Sequence, residues 1–120
     1  MKTILKLVPV LLALTMAPAI AAGEMMDTEI DYLLESVASS SCTFIRNGKE
    51  HEASDARDHL QMKRRRGKRY FDSTEEFIER LASKSSWTGK PYRIRCDGEE
   101  VNAGDWFTAL LTEHRNRSSD

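Results

Sequence analysis

Apolar residues recur along this chain with two different periods, and each change of period marks a new element. Ile30, Leu33, Leu34 and Val37 fall at i, i+3, i+4 and i+7, one apolar helical stripe. Thr28 is placed to cap it, with acids in the first turn, and Ser39-Ser40-Ser41 ends it. Cys42 to Arg46 is enriched in β-branched and aromatic residues and closes on Asn47-Gly48, which predicts a strand and a turn. A second helix is predicted from about Ser54 to Arg66. Asp55 and Asp58 lie in its first turn, Lys63 to Arg66 in its last, and Gly67 follows, the charge order that the helix dipole favours. Its apolar face is thin: Ala56, Leu60 and Met62, with His59 beside them.

Ser73-Thr74-Glu75-Glu76 has the spacing of a capping box and predicts a third helix, with Phe77, Ile78, Leu81 and Ala82 on its core face. Ser83 to Gly89 is a polar turn carrying Trp87, read as a lid over the edge of the core, with a partner-facing anchor as the alternative. From Pro91 to Cys96 the period becomes two. Tyr92, Ile94 and Cys96 point one way, Arg93 and Arg95 the other, as in a half-buried strand. Asp97-Gly98 predicts a hairpin turn and Glu99 to Val101 a short edge strand. A last helix, about Ala103 to Arg115, carries Phe107, Leu110, Leu111 and His114, and the polar tail from Asn116 is expected to fray. No internal repeat is apparent. The expectation is an α+β fold, with about four helices on one face of a two- to three-stranded sheet.

The amino terminus has a separate logic. Lys2 and Lys6 flank an apolar stretch reaching Leu14, and Ala19-Ile20-Ala21 supplies an A-x-A cleavage pattern. The stretch is shorter than the roughly 20 residues of a membrane span. Residues 1–21 are therefore read as a cleaved secretory signal and 22–120 as one domain with an ordered core of about 28–115. A periplasmic or secreted location without a membrane anchor follows. The signal holds two of the 18 basic residues and none of the 19 acidic ones, so the remainder carries a net charge of −3. That balance argues against a nucleic-acid partner.

Cys42 and Cys96 are the two cysteines of the chain. In an oxidising compartment they are most simply read as one disulfide, and two free thiols are the other reading. Applying the strand period to Cys42 and Phe44 puts both cysteines toward the same core.

Lys63 to Arg69 holds six basic residues in seven. One reading is a solvated helix C-terminus, pairing with the acidic segments Glu24–Glu35 and Asp97–Asp105; the other is a surface for an anionic ligand or an acidic protein partner. His59 and Lys63 are neighbours at i and i+4, and Arg46 and Tyr92 are placed to approach them. This constellation is either a helix rim with a hydrogen-bonded histidine or a site for a small anion. The candidate binding residues are thus Arg46, His59, Lys63, Arg64, Arg65, Arg66 and Tyr92. His51, His59 and His114 are too scattered for a metal site, no phosphate-binding glycine pattern or G-x-S-x-G elbow is present, and no cofactor is expected. Two functional classes remain: a non-enzymatic binding or interaction module, and a small hydrolase. The hydrolase would use a histidine as general base with a hydroxyl from Ser83 to Ser86, and Asp55 is the local acid able to orient His59.

Several segments resemble the YfeK-like family of small exported Gram-negative bacterial proteins. They are Phe44-Ile45-Arg46-Asn47-Gly48 with His51, then Ala56, His59-Leu60 and Lys63. Thr74-Glu75-Glu76-Phe77-Ile78, Ala82-Ser83-Lys84-Ser85-Ser86 and Gly89-Lys90-Pro91-Tyr92 continue the resemblance. It spans nearly the whole exported part and implies a signal peptide, but no activity and no site residues. The arginine run, Trp87 and the cysteine pair depart from the family pattern, so the bridge is expected to mark a subgroup.

Overall fold

A computed structural model describes residues 19–119, with side chains from Ala21 onward. The element order is α1 (Ala19–Ala38), β1 (Thr43–Arg46), β2 (Lys49–His51), α2 (Ala53–Arg66), α3 (Thr74–Phe77), β3 (Arg93–Cys96), β4 (Glu99–Asn102) and α4 (Ala103–Ser118). A 3-10 turn, Lys68–Tyr70, precedes α3, and a π-helical turn, Ile78–Ala82, continues it. The strands form one antiparallel sheet in the order β2-β1-β3-β4. The fold is α+β, as the pattern predicts, with one strand more than expected.

That strand is β2. Lys49-Glu50-His51 has neither β-branched nor aromatic residues, and pairing with β1 makes it a strand despite its propensity. Asn47 and Gly48 have φ of 50° and 76°, and Asp97 and Gly98 have 52° and 81°. Both hairpins therefore turn through two residues of positive φ, the geometry that matches strand twist and that Asn-Gly and Asp-Gly adopt at least cost. Helix α1 is already present at Ala19, the first described residue, well before the predicted cap at Thr28, because Ala21, Ala22, Met25 and Met26 are good helix formers. The Thr28 hydroxyl donates back to the Glu24 carbonyl instead of capping. At the other end α4 reaches Ser118 without fraying at Asn116. Arg117 donates to the Tyr32 hydroxyl (2.7 Å), and the His114 ring stacks on Tyr32. The Ser73 half of the predicted capping box forms, with Ser73 Oγ accepting from Glu76 N at 3.1 Å, while the Glu76 carboxylate accepts from Asp72 N at 2.9 Å instead of from Ser73 N.

The two hairpins reveal a repeat that the sequence reading does not detect. A shift of 50 residues carries each strand of the first hairpin, its turn and the start of its helix onto those of the second. Identical residues survive at Gly48/Gly98, Glu50/Glu100, Ala53/Ala103, Asp55/Asp105, Leu60/Leu110 and Arg65/Arg115. β1 pairs with β3 symmetrically, Phe44 opposite its own counterpart Ile94, so a pseudo-twofold axis passes between them. The repeat escapes a sequence search because it resides in turn position and strand parity rather than in side-chain identity.

Phe44, Ile94, Leu60, Phe77, Tyr92, Phe107 and the α1 stripe Ile30, Leu33, Leu34 and Val37 are buried together as one core. At its edge Glu29, 6 % exposed, receives Arg115 Nε at 2.7 Å and the Thr74 hydroxyl at 2.6 Å. The Arg115 guanidinium outweighs the burial and holds this carboxyl below its usual range.

The repeat breaks down at the two ends of the β1–β3 pair. Continuing that register by one residue sets Cys42 opposite Cys96 at one end and Arg46 opposite Tyr92 at the other. Cys42 and Cys96 are joined in a disulfide. The same shift of 50 carries Cys42 onto Tyr92 and Arg46 onto Cys96, so one end of the central pair is locked by a covalent bridge. The other, carrying a cation and a phenol, opens into a cleft.

Candidate functional site

The cleft has a volume of about 730 Å³, within the range of small-molecule sites. Four segments build it. The end of β1 and the hairpin turn provide Arg46, Asn47 and Lys49; the last two turns of α2 provide His59, Met62, Lys63 and Arg66. Tyr92, entering β3, closes the floor, and the segment Ser85–Trp87 forms a wall. That wall is fixed in place. Ser85 Oγ accepts from Asn47 Nδ2, Trp87 N and Thr88 N, and the Thr88 hydroxyl donates to Asn47 Oδ1 at 2.8 Å. Ser85 N and Gly89 N close the turn on Lys90 O and Ser85 O, with Gly89 at φ 75°. Clamped to the first hairpin turn in this way, the loop holds Trp87 95 % exposed at the cleft. The tryptophan is therefore not a lid over the core: it stands in solvent at the rim of the cleft.

On the floor, Lys63 is only 8 % exposed. Its ammonium nitrogen donates to the Lys84 carbonyl at 2.9 Å and to the Tyr92 hydroxyl at 3.1 Å, and no carboxylate pairs with it among the described residues. Burial, then Arg46 and Lys84, push its pKa down to about 8. His59 lies at 3.5 Å from the Tyr92 hydroxyl through Nε2. Burial first, then Arg46, Lys63 and His51, push it down to about 4, so the ring is neutral at physiological pH. Tyr92 is raised by its burial, against an opposing effect of Arg46.

The cleft has no acidic lining residue, and Arg46, Lys49, Lys63 and Arg66 all border it. Elsewhere among the described residues seven arginines, Arg57, Arg64, Arg80, Arg93, Arg95, Arg115 and Arg117, each pair with Asp or Glu, while the exposed Arg65 and Arg69 do not. The cleft cations have no such partner among the described residues. An open, partly apolar cavity with uncompensated positive charge is suited to an anion.

Of the residues singled out in the sequence, Arg46, His59, Lys63, Arg66 and Tyr92 meet at this cleft. Arg64 does not. It binds Asp31 Oδ1 at 2.6 Å and Asp27 Oδ1 at 3.2 Å, fastening α2 to α1. Arg65 is exposed and does not line the cleft. Sequence reasoning missed Lys49, Tyr70 and the rim role of Trp87. Lys49 was legible in principle, because a two-residue turn after Arg46 sets the two directly across from each other.

Ser85 and Ser86 line the same cleft as His51 and His59, but no hydrogen bond joins a hydroxyl of the Ser83 to Ser86 turn to a histidine among the described residues. Ser83 Oγ donates to the Glu79 carbonyl, and Ser85 Oγ is occupied by backbone donors. Among the described residues no histidine ring bonds a serine hydroxyl, and Asp55 makes no hydrogen bond to His59. Among the described residues no cluster of three His, Cys, Asp or Glu residues has the geometry to hold a metal ion. No helix among the described residues is long and apolar enough to cross a membrane.

The depressed pKa of His59 has a consequence for stability. The unfolded chain takes up this proton near pH 6.5 and the folded chain only near 4, so acid between those values favours unfolding. Urea unfolding of wild type should therefore weaken over this window more steeply than that of His59→Asn. Parallel pH profiles for the two proteins would contradict the assignment.

A model of a family of unknown function (DUF5329) matches residues 24–115. The chain is 39 % identical over 67 residues to the uncharacterized protein YfeK of Salmonella typhimurium, a match covering 55 % of this chain and 56 % of that one. The aligned part thus spans about half the length of this curated relative. No solved structure matches.

Proposed function

We propose that this chain, which belongs to the family of unknown function DUF5329 and is YfeK-like, is an exported binding module. Its cleft between β1, α2 and the Trp87 loop captures a small anionic ligand. The observation that carries this reading is the set of four cations, Arg46, Lys49, Lys63 and Arg66, around one cavity with no acid in its lining. Buried Lys63 supports it further. An uncompensated cation in the fold interior costs stability, and ligand binding gives a reason for its retention. Export rests on the amino-terminal signal, whose residues 1–18 lie outside the described part of the structure. The Cys42–Cys96 bridge supports it, since such bridges persist in oxidising compartments. Intact mass of the periplasmic fraction should give a chain starting at or near Ala22; a full-length cytosolic mass would refute export.

Trp87 is a built-in reporter of the cleft. In Trp106→Phe protein, where it is the sole tryptophan, its fluorescence should respond saturably to oxalate, phosphate or sulfate at low ionic strength. Arg46→Ala should weaken that binding about tenfold or more, the usual worth of a charge-assisted hydrogen bond. An unresponsive Trp87, or unchanged affinity in Arg46→Ala, would reject the proposal.

A further inference from the structure

We infer that Lys63 is a carbonyl-reactive amine, and that the cleft accepts a small 2-oxo carboxylate which it joins to Lys63 Nζ as an imine. This inference rests on the anion-binding reading of the cleft and adds a covalent chemistry to it.

Three features of the geometry point to it. First, Lys63 is buried yet lines an open cavity, whereas Lys49, Lys68, Lys84 and Lys90 are all exposed. Second, both of its hydrogen-bond partners are uncharged oxygens, the Lys84 carbonyl and the Tyr92 hydroxyl. A lysine retained for stability is normally buried against a carboxylate; one desolvated beside other cations is the arrangement that makes an amine nucleophilic. Third, Arg46 and Arg66 border the same cavity and offer planar, charged donors to a carboxylate, which places the carbonyl next to it near the amine.

The chemistry balances without an added reagent. The neutral Lys63 nitrogen attacks the carbonyl carbon, forming a C–N bond while the C=O π electrons move to oxygen. The Tyr92 hydroxyl, 3.1 Å from Nζ, gives its proton to that oxygen and regains one from nitrogen, leaving a carbinolamine. Loss of water, made of the hydroxyl and one further proton from nitrogen, forms the imine. His59 is close to the same phenol. Neutral, it leaves Tyr92 free to exchange its proton in either direction.

The test is reductive trapping. The exported protein, purified from the periplasmic fraction, is incubated at about pH 8 with pyruvate and sodium cyanoborohydride, and adducts are located by peptide mapping. The expected result is one dominant adduct, on Lys63, formed at least about tenfold faster than on any other lysine. Tyr92→Phe should slow it, Lys63→Met should abolish it, and acetone, which lacks the carboxylate, should react much more slowly. Adducts spread evenly over the surface lysines, or undiminished labelling of Lys63→Met, would overturn the inference. Oxalate, which forms no imine here, separates this inference from the reading beneath it. Saturable oxalate binding at Trp87 without a Lys63 adduct refutes the imine and leaves the anion cleft standing; absence of both refutes both.

Discussion

Replacing Cys42 and Cys96 together by serine is expected to lower the free energy of unfolding by about 4 kcal/mol, the chain-entropy value for the loop they close. The bridge spans 54 residues of sequence, and its effect lies largely in the unfolded chain, whose conformations it restricts. It also ties the entry of β1 to the end of β3, on the side of the central pair remote from the cleft. For a domain this small the loss is a large share of net stability. Urea unfolding with and without a reducing agent measures it. A loss below about 1 kcal/mol, or an unchanged midpoint on reduction, would show that the bridge contributes little to the stability of this fold.

The second large effect is a split between stability and binding at Lys63. Its depressed pKa means that the folded state holds the ammonium less readily than the unfolded chain does. Folding therefore carries a penalty of about 3 kcal/mol at pH 7. The penalty is fully present below pH 8 and vanishes above 10.5, the value for an unperturbed lysine. Lys63→Met removes it and also removes two hydrogen bonds, which returns about 1–2 kcal/mol. The expected outcome is a variant about 1–2 kcal/mol more stable at pH 7, with that advantage shrinking as pH rises from 8 to 10.5. Its affinity for oxalate should fall about tenfold or more. A lysine serving only the fold would behave in the opposite way: Lys63→Met would then be destabilised, and its oxalate affinity would not move.

Much of this architecture was legible because local chemistry and tertiary context agree. The Ile30–Val37 stripe, the Ser73 N-cap and both Asn-Gly and Asp-Gly turns form as their residues dictate. The shared parity of Cys42 and Cys96 is realised as a bond. The failures have physical reasons. β2 is a strand because β1 supplies hydrogen bonds, not because Lys49-Glu50-His51 favours it. The twofold repeat resides in backbone register, which few side chains record. At the cleft, helical spacing was enough to associate His59 with Lys63, and the places of Arg46 and Tyr92 on the two predicted strands to bring them toward that pair. Spacing could not sort the arginine run. Arg64 faces acids one helix away, at Asp27 and Asp31, while Arg66 borders the cavity, and that division depends on packing over long sequence distances. Trp87 was misread for a related reason: its position follows from the Ser85–Asn47–Thr88 hydrogen bonds, which join residues about forty positions apart.

The most direct test of the anion cleft is its location, read by ¹H–¹⁵N correlation spectra of the exported chain titrated with oxalate at low salt. Saturable shifts are expected at Arg46, Asn47, Gly67, the Ser85–Gly89 loop and Tyr92, and their loss in Arg46→Ala. Shifts confined to the exposed residues Arg65, Lys68 and Arg69, or no saturable shift at all, would contradict the anion cleft.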